Sequence, residues 1–171
     1  NHMCALMASG QVKCWGQNTV GGLGDGTTIN RSSPVSVLGL LDATTIESGT
    51  TGTCATTSTR VAVCWGERIG DGTLNRPLRA TRVVGLSNIV GVTVGIYYAC
   101  ALSGAGTAWC WGNNGRGNLG NGIEESSGHW TPVSVIGIST ARMITAGFAN
   151  TCVSLADGTA RCWGLNGAGQ L

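Results

Sequence analysis

The chain has 171 residues, a net charge of +2 and only 11% charged residues, while glycine contributes 29 positions, cysteine eight and proline three. Nine arginines and one lysine are spread along the chain, so no basic stripe of the kind a nucleic-acid surface needs is present. No apolar run approaches the roughly 20 residues that cross a bilayer, and no helical apolar stripe of useful length occurs; Gly, Thr, Ser and Val point to short strands and tight turns.

The first predicted element is a hairpin over CALMASGQVKCWG, Cys4 to Gly16. If Cys4 and Cys14 face each other, the loop is Ala8, Ser9 and Gly10. A three-residue hairpin loop places its third residue in a left-handed conformation, for which Gly is the natural choice. Trp15 then points to the face opposite the cysteines, because side chains alternate along a strand. The following QNTVGGLGDGT holds Asp25 in a D-G turn, and no run of alternating oxygen ligands follows to make it a calcium loop. NRS at Asn30 is a glycosylation sequon by pattern.

The hairpin recurs three times. CATTSTRVAVCWG carries Cys54, Cys64 and Trp65, but its third loop residue is Arg60, which suggests a different loop. After Trp-Gly this copy has only ERIGDGT, four residues fewer than the first, with Asp71 in the same D-G turn. The third copy, CALSGAGTAWCWG, carries Cys100, Cys110 and Trp111, with Gly106 at the third loop position. Tyr97 and Tyr98 precede it, Arg116 lies in its turn motif NNGRGNLGNGI, and the loop IEESSGHWT before Pro132 is two residues longer than TTINRSS before Pro34. The fourth copy, CVSLADGTARCWG, carries Cys152, Cys162 and Trp163, with Gly158 at the third loop position.

Successive copies start 50, 46 and 52 residues apart; the deletion accounts for the short step and the insertion for the long one. From Gly39, Gly85 and Gly137 the next hairpin cysteine is always fifteen residues away. A constant frame with variable loops marks a repeat array, and this period suits about four short strands per unit. Residues 1–171 therefore read as one all-β array, with a hairpin at 4–16 and repeats beginning near 54, 100 and 152.

Cross-strand pairing predicts disulfides Cys4–Cys14, Cys54–Cys64, Cys100–Cys110 and Cys152–Cys162. The alternative is buried free thiols packing as small hydrophobes; zinc lacks a C-x-x-C knuckle or a Cys/His cluster. If the bonds form, the chain belongs outside the reducing cytosol, secreted or at a cell surface. Trp15, Trp65, Trp111 and Trp163 recur at one structural position and read as wedges in a repeated core, the alternative being a ligand-stacking row. The histidines, His2 and His129, have no Ser-His-Asp or Cys-His arrangement around them, and Glu124 and Glu125 are neighbours on a loop. No catalytic, metal or cofactor site is expected. A partner surface is expected at the inserted loop, with Glu124, Glu125, His129 and Trp130, together with Tyr97, Tyr98 and Arg116. The alternative for Trp130 is that it folds back over the edge of a unit.

The stretches CWGQNTVGGLGDG (14–26), CWGNNGRGNLGNG (110–122) and CWGLNGAGQL (162–171), each after a CAL-like strand, resemble the repeats of the regulator of chromosome condensation family, in particular the cysteine-bearing versions of secreted bacterial proteins. The resemblance implies a β-propeller of four-stranded antiparallel blades, usually seven around a channel, of which this chain makes about three and a half. It implies that Asn18, Asn114 and Asn166, with the glycines of these motifs, shape the turn. Family repeats often carry a His two residues before the strand cysteine; here that position is His2, Gly52, Tyr98 and Asn150. The chain begins inside an expected strand and stops within a turn motif, as a segment of a larger propeller with two open edges does. Three roles follow: a non-catalytic extracellular scaffold that binds proteins through its loops, a structural subunit that joins copies of itself through open edges into a closed oligomer or filament, or a module of a larger secreted enzyme or adhesin. The expected partners are proteins or further copies, not nucleic acid, and no insertion into a membrane is expected.

Overall fold

The structure, a computed structural model, describes residues 2–67 and 69–171. Among them there is no helix; fourteen strands form four antiparallel sheets. Blade 1 is β1 (His2–Leu6), β2 (Val12–Gly16) and β3 (Arg31–Ser36), in that order. Blade 2 is β4 (Ala43–Ser48), β5 (Gly52–Thr57), β6 (Ala62–Gly66) and β7 (Thr81–Arg82). Blade 3 is β8 (Ile89–Val94), β9 (Tyr98–Ser103), β10 (Ala108–Asn114) and β11 (Glu125–Ser134). Blade 4 is β12 (Ala141–Ala146), β13 (Asn150–Leu155) and β14 (Ala160–Gly164). The first strands β4, β8 and β12 touch one another in succession, so they are the inner strands of a turning array. Blade 1 is present without an inner strand and blade 4 without an outer one, which makes three and a half blades of a β-propeller.

All four cysteine pairs lie directly opposite in register, Cys4↔Cys14, Cys54↔Cys64, Cys100↔Cys110 and Cys152↔Cys162, and all four are bonded, with Cα atoms 4.0–4.1 Å apart. No cysteine is free. The turn chemistry that sets this register is identical in the four hairpins: the third loop residue donates its N–H back to the strand end, from Gly10 to Met7 O, Arg60 to Thr57 O, Gly106 to Ser103 O and Gly158 to Leu155 O. Arg60 therefore does not signal a different loop. It adopts φ +59°, the left-handed conformation its glycine counterparts adopt at +82° to +86°. That geometry costs a non-glycine residue about 1 kcal/mol. The side chain contributes in return, its guanidinium donating to Asn88 Oδ1 at 2.8 Å.

The core lies between blades rather than within them. Each blade turns its cysteine face toward the next, whose tryptophan face looks back. Between blades 1 and 2, Val12, Cys14, Leu23, Val37 and Leu40 meet Ala43, Ala55 and Trp65. Trp65 and Trp111 are fully buried, and Trp163 packs against the third cluster. Each wedge is seated on a glycine of the preceding blade: a Cβ at Gly24, Gly70 or Gly120 would lie 2.7–2.9 Å from the ring of Trp65, Trp111 or Trp163. The indole N–H groups of Trp65 and Trp163 reach carbonyls of the same loops, Gly22 O at 2.8 Å and Asn118 O at 3.0 Å. Trp15, on the open face of blade 1, is only partly buried. Trp65, Trp111 and Trp163 thus pack as wedges between blades.

The inserted segment is not a loop. Residues Glu125–Ser134 form the ten-residue strand β11, paired to β10 with register shifts on either side of Gly112↔His129. The two extra residues are absorbed as irregularities in the ladder, near Gly128 at φ +67°.

Candidate functional site

In blades 1 and 3 the residue two before the first cysteine, His2 or Tyr98, reaches across the junction to the next blade. His2 Nε2 lies 2.6 Å from Thr53 Oγ1, and Thr53 in turn donates to Gly22 O. At the last junction Tyr98 donates its hydroxyl to Asn150 O at 2.6 Å and accepts from Thr151 Oγ1, which also reaches Asn118 O. These are equivalent polar locks. Burial lowers the His2 pKa from its ordinary 6.5 and pushes the Tyr98 hydroxyl up to about 12. Tyr98 is 2% exposed, so the expectation that it belongs to a partner surface is corrected: its bulk fills the junction and its hydroxyl is spent there. Tyr97 is outside, at φ +61°, with its carbonyl held by Asn113 N.

Between blades 2 and 3 the lock is missing. The corresponding residues are Gly52 and Ala99, and a gap of about 10 Å³ remains, the size of one water. A Cβ on Gly52 would lie 2.8 Å from Glu67 O, so the shortened loop occupies the space that a side chain uses elsewhere.

The Asn-containing turns are internally satisfied. Asn18 donates to Asp25 and to the carbonyls of Thr27 and Ile29, and accepts from Leu23 N; Asn114 donates to Asn121 and Ile123 O and accepts from Leu119 N. Asp25 closes this network with Arg31 at 2.8 Å. Burial raises its pKa, but hydrogen bonds from Thr27 and Arg31 outweigh that and hold the carboxyl below its ordinary value. In register, His129 stands opposite Gly112 as Arg31 stands opposite Gly16, and its Nε2 lies 2.5 Å from Glu125 Oε1 and 3.3 Å from Asn121 Nδ2. Asp25 and Asp71 each accept from the N–H and hydroxyl of the Thr two residues on, which is turn chemistry. Among the described residues no three His, Cys, Asp or Glu side chains come together as a metal cluster.

The residues expected at a partner surface are therefore dispersed. Glu125 and His129 pair with each other, Glu124 and Arg116 are exposed, Tyr98 is buried, and Trp130 is partly buried. Trp130 points the way to a feature that composition alone does not show. Its carbonyl accepts from Gly72 N at 3.0 Å, and its side chain lines a cleft of about 230 Å³ with Glu67, Thr73, Leu74 and Arg76. The deletion of the second unit and the insertion of the third thus meet at one place, the outer edge between blades 2 and 3. Arg76 bonds Glu67 at 3.0 Å there, and on its other side a second cleft of about 500 Å³ runs along Gly26, Leu38, Asp71 and residues 75–79. The signal that could have revealed this is RPLRATR, 76–82, three arginines in seven residues.

Two family models described as the regulator of chromosome condensation (RCC1) repeat match the chain, one over residues 1–21 and 144–170 and the other over 105–153. The chain belongs to the RCC1 repeat family. Among solved structures, it is similar to yeast RCC1 (Prp20), solved with Kap60 bound, at 19% identity and a TM-score of 0.82, over 97% of this chain and 42% of that one. Human WBSCR16 is similar at 18% identity and a TM-score of 0.83, over 97% of this chain and 46% of that one. The ectodomain of the Physcomitrella patens receptor kinase CR4 is similar at 22% identity and a TM-score of 0.64, over 95% and 39%. At these identities the likeness is one of fold. The chain spans less than half the length of each of these three. No curated protein sequence matches this one.

Proposed function

We propose that this RCC1-repeat array is a non-catalytic extracellular scaffold that binds a protein partner at the outer edge between blades 2 and 3. The observation that carries this reading is the convergence there of the two departures from the repeat, with Glu67 of the shortened unit and Trp130 of the long β11 lining one cleft beside Leu74. Elsewhere the frame repeats, so this is where the array has a shape of its own. Four disulfides support an oxidising location, and among the described residues no helix is long and apolar enough to cross a membrane. The fold supports binding as the role, since a solved propeller of similar fold is held in a complex with Kap60.

The test is a photo-reactive residue at Leu74, compared with one at Ser9 on the blade 1 hairpin tip, in the secreted and surface fraction of the producing cell. A discrete protein adduct at Leu74 that is missing at Ser9 is expected. The same adducts at both positions, or none at either, overturn the reading.

A second reading rests on the open cysteine face of blade 4, where Met143, Ile144, Cys152 and Val153 line an apolar hollow of about 240 Å³ and Met143 is 69% exposed. Every internal junction covers such a face with the tryptophan face of another repeat, supplied here by the same polypeptide or by a second copy. Light scattering of the unreduced material decides: a particle of several chains favours self-assembly into a ring or filament, and a particle of one chain removes it.

A further inference from the structure

Residues 72–82, GTLNRPLRATR, hold three arginines and no acidic residue, although the whole chain nets only +2. The three arginines fall within seven residues of the sequence, in and just before the outer strand β7 of blade 2. β7 contributes only Thr81 and Arg82 to the ladder of blade 2, and the residues before it are fastened by Gly66 N to Pro77 O, Gly26 N to Leu78 O and Ala80 N to Leu38 O, forming a wall with a cleft on each side. Arg76 lines both clefts and is neutralised by Glu67. Arg79 and Arg82 are exposed, and among the described residues no carboxylate lies within ion-pair distance of either. The one acidic residue on the larger cleft, Asp71, is engaged by the N–H and hydroxyl of Thr73. Apolar groups flank the charges: Leu74 is 74% exposed, Leu38 48%, and Leu78 lines the larger cleft. Pro77 stiffens the wall, which lowers the ordering cost of docking.

We infer that this wall docks an extended protein segment in which carboxylates flank an apolar side chain. The inference rests on the scaffold reading and names the partner's chemistry at the same edge. Unpaired arginines supply the complement to carboxylates, which Arg can engage in two parallel hydrogen bonds. The clefts on either side take the apolar side chain. A nucleic acid fits less well: two unpaired cations neutralise few phosphates, and a single half-buried tryptophan is no stacking platform.

The experiment is fluorescence anisotropy of a labelled decapeptide with four glutamates around a central Leu-Phe pair, titrated with the whole chain at low and at physiological salt. A lysine-for-glutamate version, a labelled single-stranded oligonucleotide and anionic vesicles run alongside. The glutamate peptide is expected to bind, to weaken with salt, and to lose about tenfold or more in affinity with the double variant Arg79→Glu, Arg82→Glu. Neither guanidinium makes a contact that the frame depends on, so an unchanged urea midpoint shows that the variant is folded. Equal binding of the lysine peptide, no change in the double variant, or preference for the oligonucleotide or vesicles overturns the inference. Failure of the peptide while the Leu74 position still captures a protein removes the acidic partner and leaves the scaffold; failure of both removes both.

Discussion

Gly106 and Gly158 occupy the same hairpin position with nearly the same left-handed φ, +82° and +86°, yet only one of them faces another blade. A Cβ added at Gly158 meets nothing within 4 Å. One added at Gly106 lies 2.8 Å from Ser139 O and 3.0 Å from Thr140 Cα, both backbone atoms of the entry to blade 4. Gly106 O also accepts the N–H of Ala141, so the clash cannot be relieved without loosening that bond. Gly158→Ala should therefore cost only the left-handed strain, about 1 kcal/mol. Gly106→Ala should cost that plus about 1–3 kcal/mol of overpacking. For a chain of this length, each kcal/mol moves the midpoint by about 2–4 °C. The assay is thermal and urea unfolding followed by circular dichroism with disulfides intact, with equal m-values as the check that both variants unfold from the same state. Equal losses at the two positions would refute the idea that hairpin tips are structural contacts between blades.

The disulfides should differ in accessibility in the same way. Cys54–Cys64 and Cys100–Cys110 are buried in junctions, whereas Cys162 is exposed on the open face of blade 4, so native-state reduction and alkylation should label Cys152 and Cys162 first by peptide mass mapping. The two polar locks predict the pH limits of stability. His2 has a lowered pKa in the folded chain, so the unfolded chain takes up the proton first and stability should fall as pH drops below about 6.5, a step that His2→Asn removes; Tyr98 has a raised pKa, so its contribution should be lost as pH rises from 10 through about 12, a step that Tyr98→Phe removes.

Much of the fold was legible because the repeat is written in local rules. Cysteines ten positions apart, a three-residue loop and an aromatic on the alternate face determine a hairpin, its register and the direction of its core faces, and none of these depends on distant residues. Arg60 was misleading for a local reason too: a left-handed turn does not require glycine when the next blade leaves room for a Cβ and Asn88 supplies a partner for the side chain. The outer edge was illegible for a different reason. That Trp130 meets Gly72 depends on how blade 3 sits against blade 2, and no spacing within one unit reports it. Tyr98 looked like a surface aromatic because its neighbour Tyr97 is one, and only the pairing with Asn150 and Thr151 assigns it to a junction.

The missing lock and the candidate binding edge lie at the same junction, and there is a physical link between them. In blades 1 and 3 His2 and Tyr98 cross to the next blade, His2 packing against Gly22 of the long turn on the way. In blade 2 a Cβ on residue 52 would lie 2.8 Å from Glu67 O, so glycine fits there and no side chain bridges to blade 3. Glu67 also lines the outer cleft, where it bonds Arg76 beside Trp130. Glu67 thus borders both features, its carbonyl at the position of the missing bridge and its side chain in the external cleft. The outer edges of blades 1 and 2 and of blades 2 and 3 are joined in the same way, Gly26 N to Leu78 O and Gly72 N to Trp130 O, so the junction without a lock keeps its outer backbone link. Because Glu67 borders the cleft, lengthening the turn by four residues after Gly66 should reshape it, and peptide binding and the Leu74 adduct should be lost together; retention of both in the lengthened chain would refute the placement of the partner at this edge.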